Sequence, residues 1–376
     1  MAVVLSAFLV IGLALPVLPL HVHQGLGLGT FVVGIVAGSQ FAASLVSRVW
    51  AGHFADRRGG KSAVVAGLLA AAASGLLYLL SLLFVATPAT SAAILVAGRG
   101  VLGAAESFII TGALSWGLGR VDPLSAGRVI AWIGMAMFAA LALGAPLGTV
   151  LYVEYGFAAI ALATVLLPLA TLLLAAPLAP VTPHRGARPA LLGVAGAVWL
   201  PGLGAALGSV GFGAILAFGS LLFVERGWHP VWLAFSSFVV ALIVARVLCG
   251  HLPDRLGGSR VALVCALIEA AGLAVMWLAP GRVLAAIGAA LAGFGYSLVY
   301  PGLGLEAVRR VPPQSRGLAM GAFTVCLDVA LGLASPALGL LAGVAGLGAV
   351  FLVSALVVLG AAAVAVRLIQ TPLTRT

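Results

Sequence analysis

Apolar runs long enough to cross a lipid bilayer follow one another along almost the whole chain, and this feature excludes most of what 376 residues otherwise fold into. They fall at 2–20, 31–52, 62–86, 92–117, 128–151, 157–177, 196–223, 231–252, 261–279, 283–304, 317–341 and 347–367. A helix needs about 20 residues to traverse the hydrocarbon layer, where every backbone group must be satisfied within the protein. Hydrophobic residues make up 63% of the chain and charged ones 7%, and the mean hydropathy is +1.25. That is too little charge to coat a soluble protein of this length. The fifty glycines fit the same reading, because small residues let membrane helices approach closely. The expected fold class is an all-α membrane protein of twelve transmembrane helices.

The net charge of +10 does not point to nucleic acid, because of where the basic residues stand. With the N-terminus in the cytoplasm, fourteen of them fall in inner loops and the tail, while Arg226 and Arg282 alone fall outside. Three more, Arg48, Arg99 and Arg246, lie inside helices. This is the positive-inside asymmetry, and it predicts a multi-pass inner-membrane protein with both termini cytoplasmic. Residues 1–20 lack a basic leader and a cleavage site, so they read as a retained first helix. With no basic residue ahead of that helix, the natural start is expected slightly upstream. Cys249, Cys265 and Cys326 sit in apolar runs at no metal-ligand spacing, so neither a disulfide nor a metal site is expected.

An internal repeat organises the chain. SRVWAGHFADRRGG at 47–60 returns 198 residues later as ARVLCGHLPDRLGG at 245–258. Each copy follows the second helix of its half and enters a short loop. GAP at 144–146 is echoed by ASP at 334–336. The Pro- and Arg-rich stretch between them predicts a six-helix half at 1–178, a cytoplasmic linker at 179–193 and a second half at 194–376. Parallel repeats about an axis normal to the membrane are one of the known transporter architectures.

On these residues the chain resembles the major facilitator superfamily (MFS). GHFADRRGGK is similar to that family's G-x-x-x-D-R-x-G-[RK] loop, with Lys61 one place late. GRVIAWIGM and GFGYSLVYPGLG resemble the YhhS-type bacterial members, often grouped with drug and sugar efflux proteins. Arg99 and Gly103 fit the R-x-x-x-G pattern of proton-coupled members. Gly144, Pro146 and Gly148 in LGAPLG are similar to the antiporter pattern G-P-x-x-G-G, although Ala145 intervenes and the final glycine pair is missing. The resemblance implies that the two loops latch the halves on the inner side, through Gly52, Asp56, Arg57, Gly59 and Lys61 in one copy and Gly250, Asp254, Arg255 and Gly257 in the other. It also implies a cavity wall at the tenth helix, where Tyr296 and Tyr300 stand at i and i+4. Trp199, Phe212 and Phe218 of the seventh helix are further cavity candidates.

Of nine acids, only Glu106, Glu269 and Asp328 fall near helix centres. A charge there costs at least about 2.5–3.5 kcal/mol and normally faces a cavity or a partner. Desolvation disfavours the ionised form of a carboxyl, which suits a buried acid to taking up and releasing a proton. Asp328 is the first candidate for proton coupling, with a structural hydrogen bond as the alternative. Glu269 lies on the ninth helix, which the resemblance places outside the cavity, so packing is the stronger expectation for it. Glu106 stands seven residues after Arg99, on the same face about 10 Å along the axis, too far for a direct pair. Arg99 either holds a substrate anion, perturbs a neighbouring acid or belongs to a buried ion pair. Arg48 and Arg246 read as snorkelling residues or partners of the loop acids, and His21 and His23 as structural.

The expected function is a proton-coupled exporter of a small solute, with an importer or uniporter as the alternative. A transporter-like membrane sensor is the reading from another class. No Walker loop, metal cluster or hydrolase triad is present, so neither an enzyme nor a bound cofactor is expected. The expected partners are solute, protons and bilayer, with the monomer as the functional unit and no nucleic acid.

Overall fold

The computed structural model describes residues 2–120, 126–181, 191–312 and 316–371. Most of the expected linker (182–190), Asp122, Arg185, Arg188, Arg375 and the side chains of Arg128 and Arg316 lie outside the described residues. Among the described residues the chain is helical and contains no strand. The helices are α1 (Ala2–Gly25), α2 (Thr30–Arg58), α3 (Gly60–Leu82), α4 (Pro88–Leu118), α5 and α6 (within Ala126–Ala175), α7 (Leu191–Glu225), α8 (Leu233–Cys249), α9 (Gly258–Leu278), α10 (Arg282–Arg309), α11 (Arg316–Ala345) and α12 (Leu347–Gln370). Among the described residues, ten stretches are long and apolar enough to cross a membrane. One of these, Trp132–Ala175, holds both α5 and α6, and the 17-residue α8 completes the twelve.

Local chemistry sets the breaks. Gly156, at φ +71°, separates α5 from α6. Pro16 and Pro19 lack the N–H that an unbroken helix needs, and α1 ends in a π-helical turn, His21–Gly25, closed by Leu26 N–H donating to His21 O at 2.9 Å. Gly59 (φ +88°, ψ 155°) ends α2 and starts α3 within one residue, and Gly257 (φ +94°, ψ 137°) does the same before α9. Only glycine tolerates that backbone region readily. Helix α2 runs to Arg58 rather than stopping near residue 52, because no breaker precedes Gly59. Asp56 and Arg57 therefore sit on its last turn rather than in a loop. In the second copy Gly250 and Pro253 interrupt the run, leaving a short helix at Leu252–Leu256.

Two compact units divide the chain, Met1–Gly186 and Ala187–Thr376, each with six helices. In the first, α1 packs on α5, α2 on α4, and α3 on α4 and α6. In the second, α7 packs on α11, α8 on α10, and α9 on α10 and α12. The scheme is the same in both. Large apolar side chains such as Val46, Val49 and Trp50 on α2 and Leu162, Leu166 and Leu173 on α6 are exposed. A soluble domain buries such residues, whereas lipid accepts them.

Candidate functional site

In the first unit the site grows from the crossing of α2 and α4. A Cβ on Gly103 would overlap the carbonyl of Gln40, so the two backbones touch. Contact this close brings short side chains within reach of the opposite helix. Ser107 Oγ donates to Ser44 O at 3.0 Å, and the two hydroxyls share a hydrogen bond of 2.9 Å. Gln40 Nε2 donates to Glu106 Oε2 at 2.7 Å, a hydrogen bond strengthened when the carboxyl is ionised. Arg48 Nη2 reaches Ser44 Oγ at 3.5 Å. Arg99, on the same helix as Glu106, is 1% exposed, and its Nε and Nη1 find no hydrogen-bond partner among the described residues. A buried guanidinium with open donors is costly unless an anion or a polar ligand completes it.

In the second unit α8 crosses α10 in the same way. A Cβ on Gly293 would overlap the carbonyl of Phe238, and Ser297 Oγ donates to Leu242 O at 2.9 Å. Arg246 Nη2 donates to Ser297 O at 2.9 Å. Phe238 and Tyr296 occupy the places of Gln40 and Glu106, with ring centroids 5.9 Å apart. Phe212 of α7 stacks on Tyr296 at 5.2 Å and 10°, and on Phe238 at 5.6 Å. One turn on, Tyr300 shares a 2.8 Å hydrogen bond with Thr324 of α11 and packs on Phe323. Asp328 follows Thr324 by four residues, which puts both on one face of α11, and it is 4% exposed.

The structure thus gathers Phe212, Tyr296 and Tyr300 with Phe238, and sets Asp328 on the helix face that Tyr300 touches. It leaves Trp199 apart, 58% exposed and thirteen residues earlier on α7, about 20 Å along the axis. Glu269 is fully buried, with neither oxygen hydrogen-bonded among the described residues. A methyl group at Gly211 of α7 would stand 2.5 Å from its Oε1. Phe218 is buried core. His21 stacks on Phe157 at 4.0 Å, and His23 Nδ1 lies 2.8 Å from Leu28 O.

Gly144 and Gly148 of α5 lie against the backbone of Gly12 and Leu13, so the LGAPLG stretch forms the α1–α5 contact, with Pro146 inside the helix. Asp56, Arg57, Asp254 and Arg255 are exposed at the ends of α2 and the short helix before α9, with Gly52 and Gly250 one turn earlier. Lys61 Nζ donates to the carbonyls of Ala176 and Leu178, each at 2.6 Å, and so caps the C-terminal end of α6. Gln40, Ser44, Ser107, Phe238 and Thr324 were not singled out from the sequence. Gln40, an amide in the middle of an apolar helix, was the one visible signal among them.

Twelve helices in two six-helix units, with polar side chains gathered at helix crossings, define a polytopic helical membrane protein. Solved structures share the fold. A mutant of the nucleoside transporter NupG aligns over 97% of this chain and 98% of its own at 14% identity, with a TM-score of 0.79. The xylose transporter XylE from E. coli, in a partially occluded inward-open conformation, aligns over 98% and 99% at 12% identity, with a TM-score of 0.76. The Major Facilitator Superfamily profile matches residues 1–234 and 224–376, and the chain belongs to that family. An uncharacterized MFS-type transporter of Salmonella typhimurium is 45% identical over 364 residues, 96% of this chain and 94% of that one. One from Pseudomonas aeruginosa is 43% identical over 361 residues, 96% and 90% of the two chains. The protein is therefore a multi-pass secondary transporter of small molecules, and its family is not one of enzymes.

Proposed function

We propose that the protein exports a small solute across the bacterial inner membrane by alternating access, driven by proton entry, with both termini in the cytoplasm. Asp328 carries this reading. It is an acid at the centre of a membrane helix, 4% exposed, on the α11 face reached by Tyr300 through Thr324. Holding such a group in the membrane is costly and marks a functional site by default, and exchanging a proton is a task that a buried carboxyl can perform. Tyr296, Tyr300 and Phe212 offer flat apolar surface to the solute. Arg99 offers open donors, which favours a solute with a polar or anionic part. The exposed Asp56–Arg57 and Asp254–Arg255 turns act as latches on the cytoplasmic side, and the fourteen-to-two basic asymmetry supports that orientation.

The test is solute-dependent proton movement in proteoliposomes. Vesicle orientation is read by labelling a cysteine placed at Arg57 or at Gly281, after Cys249, Cys265 and Cys326 are replaced. The expected outcome is proton entry at the face opposite residue 57, coupled to solute leaving the side that carries it. Solute moving with the proton in the same direction would make the protein an importer. Solute flux with no proton movement would make it a uniporter.

A further inference from the structure

The ends of α9, α10 and α12 nearest the α8–α9 connection border an open cavity of about 250 Å³. Differences between the two repeats account for it. At the matching corner of the first half, Lys61 reaches the carbonyls of Ala176 and Leu178. Trp116 Nε1 donates to Ala179 O at 3.1 Å, and together they fill the space between α3, α4 and the end of α6. Ser259 stands 198 residues after Lys61, and Glu306 stands 190 after Trp116, the offsets that relate α2 to α8 and α4 to α10. A hydroxyl and a carboxyl thus replace an ammonium and an indole. The Ser259 N–H donates to Glu306 Oε1 at 3.3 Å. The carboxyl therefore caps the start of α9, a favourable place for negative charge, and lies along the wall instead of filling the space.

The cations differ too: those of the first-half corner, Lys61 and Arg120, donate to the carbonyls of Ala176, Leu178 and Ala179. Arg260 and Arg309 line the cavity where the first half has Ser62 and Gly119. Leu368 and Ile369 of α12 complete it with an apolar wall. Because three membrane-crossing helices end here, the cavity lies at the level where hydrocarbon gives way to headgroups. Its walls carry two guanidinium groups against one carboxylate that is already hydrogen-bonded. Guanidinium forks match phosphate oxygens, and basic pockets between membrane helices take anionic headgroups. At about 250 Å³ the space is smaller than the roughly 300–1,000 Å³ of drug-sized sites, yet it suits a phosphodiester headgroup.

We propose that this cavity binds the phosphate headgroup of an anionic phospholipid, with Arg260 and Arg309 on the phosphate and Leu368 and Ile369 against the first acyl methylenes. A soluble phosphate compound shares the headgroup chemistry but leaves the apolar wall uncovered, so the lipid is the occupant assigned. The site is independent of proton coupling, substrate and direction of transport, and it stands whether or not export does.

The test is native mass spectrometry of the full-length, delipidated protein in detergent, titrated with phosphatidylglycerol, phosphatidylcholine or inorganic phosphate. Phosphatidylglycerol should bind at about tenfold lower concentration than phosphatidylcholine, and inorganic phosphate should not compete it away. The R260Q/R309Q variant should lose about tenfold in phosphatidylglycerol affinity, whereas R226Q/R282Q, with the same charge loss elsewhere in the same half, should not. A plugging variant, Ser259→Lys, keeps both arginines and adds positive charge while restoring the side chain that fills the first half. It should weaken phosphatidylglycerol binding if the cavity is the site and strengthen it if bulk charge alone attracts lipid. Each variant is first shown to be folded and monodisperse, and the plugging variant decides the matter if the double arginine variant is not. Unchanged binding in Ser259→Lys, equal loss in R226Q/R282Q, equal affinity for phosphatidylcholine, or displacement by inorganic phosphate would each overturn the proposal.

Discussion

The α2–α4 crossing of the first half and the α8–α10 crossing of the second share a backbone and differ in chemistry. Gly103 and Gly293 each lie on a carbonyl of the facing helix, and Ser107 and Ser297 each donate across the contact one turn later. At the positions beside them, the first half holds a hydrogen-bonded amide and carboxyl, Gln40 and Glu106, while the second holds two aromatic rings, Phe238 and Tyr296. The repeat thus keeps what fixes the helices and changes what they present. Within the proposed cycle, the first half offers charge and hydrogen bonds through Glu106 and Arg99. The second offers shape through Phe212, Tyr296 and Tyr300, with Asp328 as its proposed proton carrier.

The sharpest test of that division sets one acid from each half against the other. Asp328→Asn should lower solute-driven proton flux about 100-fold, within the range for losing a positioned proton carrier, while solute binding persists. Glu106→Gln keeps a hydrogen-bonding partner for Gln40 and should reduce the rate without changing the proton-to-solute ratio. Both quantities come from pH-dye and solute flux in proteoliposomes, normalised to folded protein. If Asp328→Asn keeps the wild-type ratio and Glu106→Gln loses it, the roles are reversed.

A smaller effect tests the shared scaffold. Gly103→Ala and Gly293→Ala each place a methyl group on a backbone carbonyl, and overpacking of this kind costs about 1–3 kcal/mol. The two should lower the melting temperature in detergent by similar amounts. A loss in one half alone would break the equivalence of the crossings. The smallest effect belongs to the exposed turns proposed as latches. Asp56→Asn and Asp254→Asn each remove one exposed carboxylate, a change of about 1 kcal/mol or less, and should slow transport about threefold. Unchanged rates and unchanged cysteine accessibility on both faces in both variants would remove the latches from the mechanism.

The fold was legible because membrane helices announce themselves by length and hydropathy, and because a 198-residue repeat exposes the two halves. The ends were harder to place. Helix α2 overruns its expected boundary to Arg58 because small and charged residues such as those in GHFADRR are compatible with helix, and only Gly59 forces a break. Glu106, Glu269 and Asp328 were legible because charge in hydrocarbon is rare, whereas buried Glu306 lay beyond the expected end of its helix at 304. The partners of such acids were not, because Gln40 meets Glu106 only once Gly103 has let two helices touch, and the residue facing a glycine cannot be read from one strand of sequence. The replacement of the Lys61–Trp116 corner by Ser259 and Glu306 was hidden for a related reason. The offset between halves falls from 198 on α3 and α9 to 190 on α4 and α10, so a single alignment shift does not pair both positions.

The unequal lengths of α2 and α8 bear on how the two charged turns are carried. At 1.5 Å per residue, the 29 residues of α2 extend about 44 Å and the 17 of α8 about 26 Å, on either side of a hydrocarbon thickness of about 30 Å. Their apolar runs, 31–52 and 231–252, are alike, so the extra length of α2 is its polar end, 53–58, which extends past the hydrocarbon, while the run of α8 is broken at Gly250. The charged turn at Asp56 therefore rides on the membrane span itself as one continuous rod, whereas the turn at Asp254 stands on a separate short helix beyond a break.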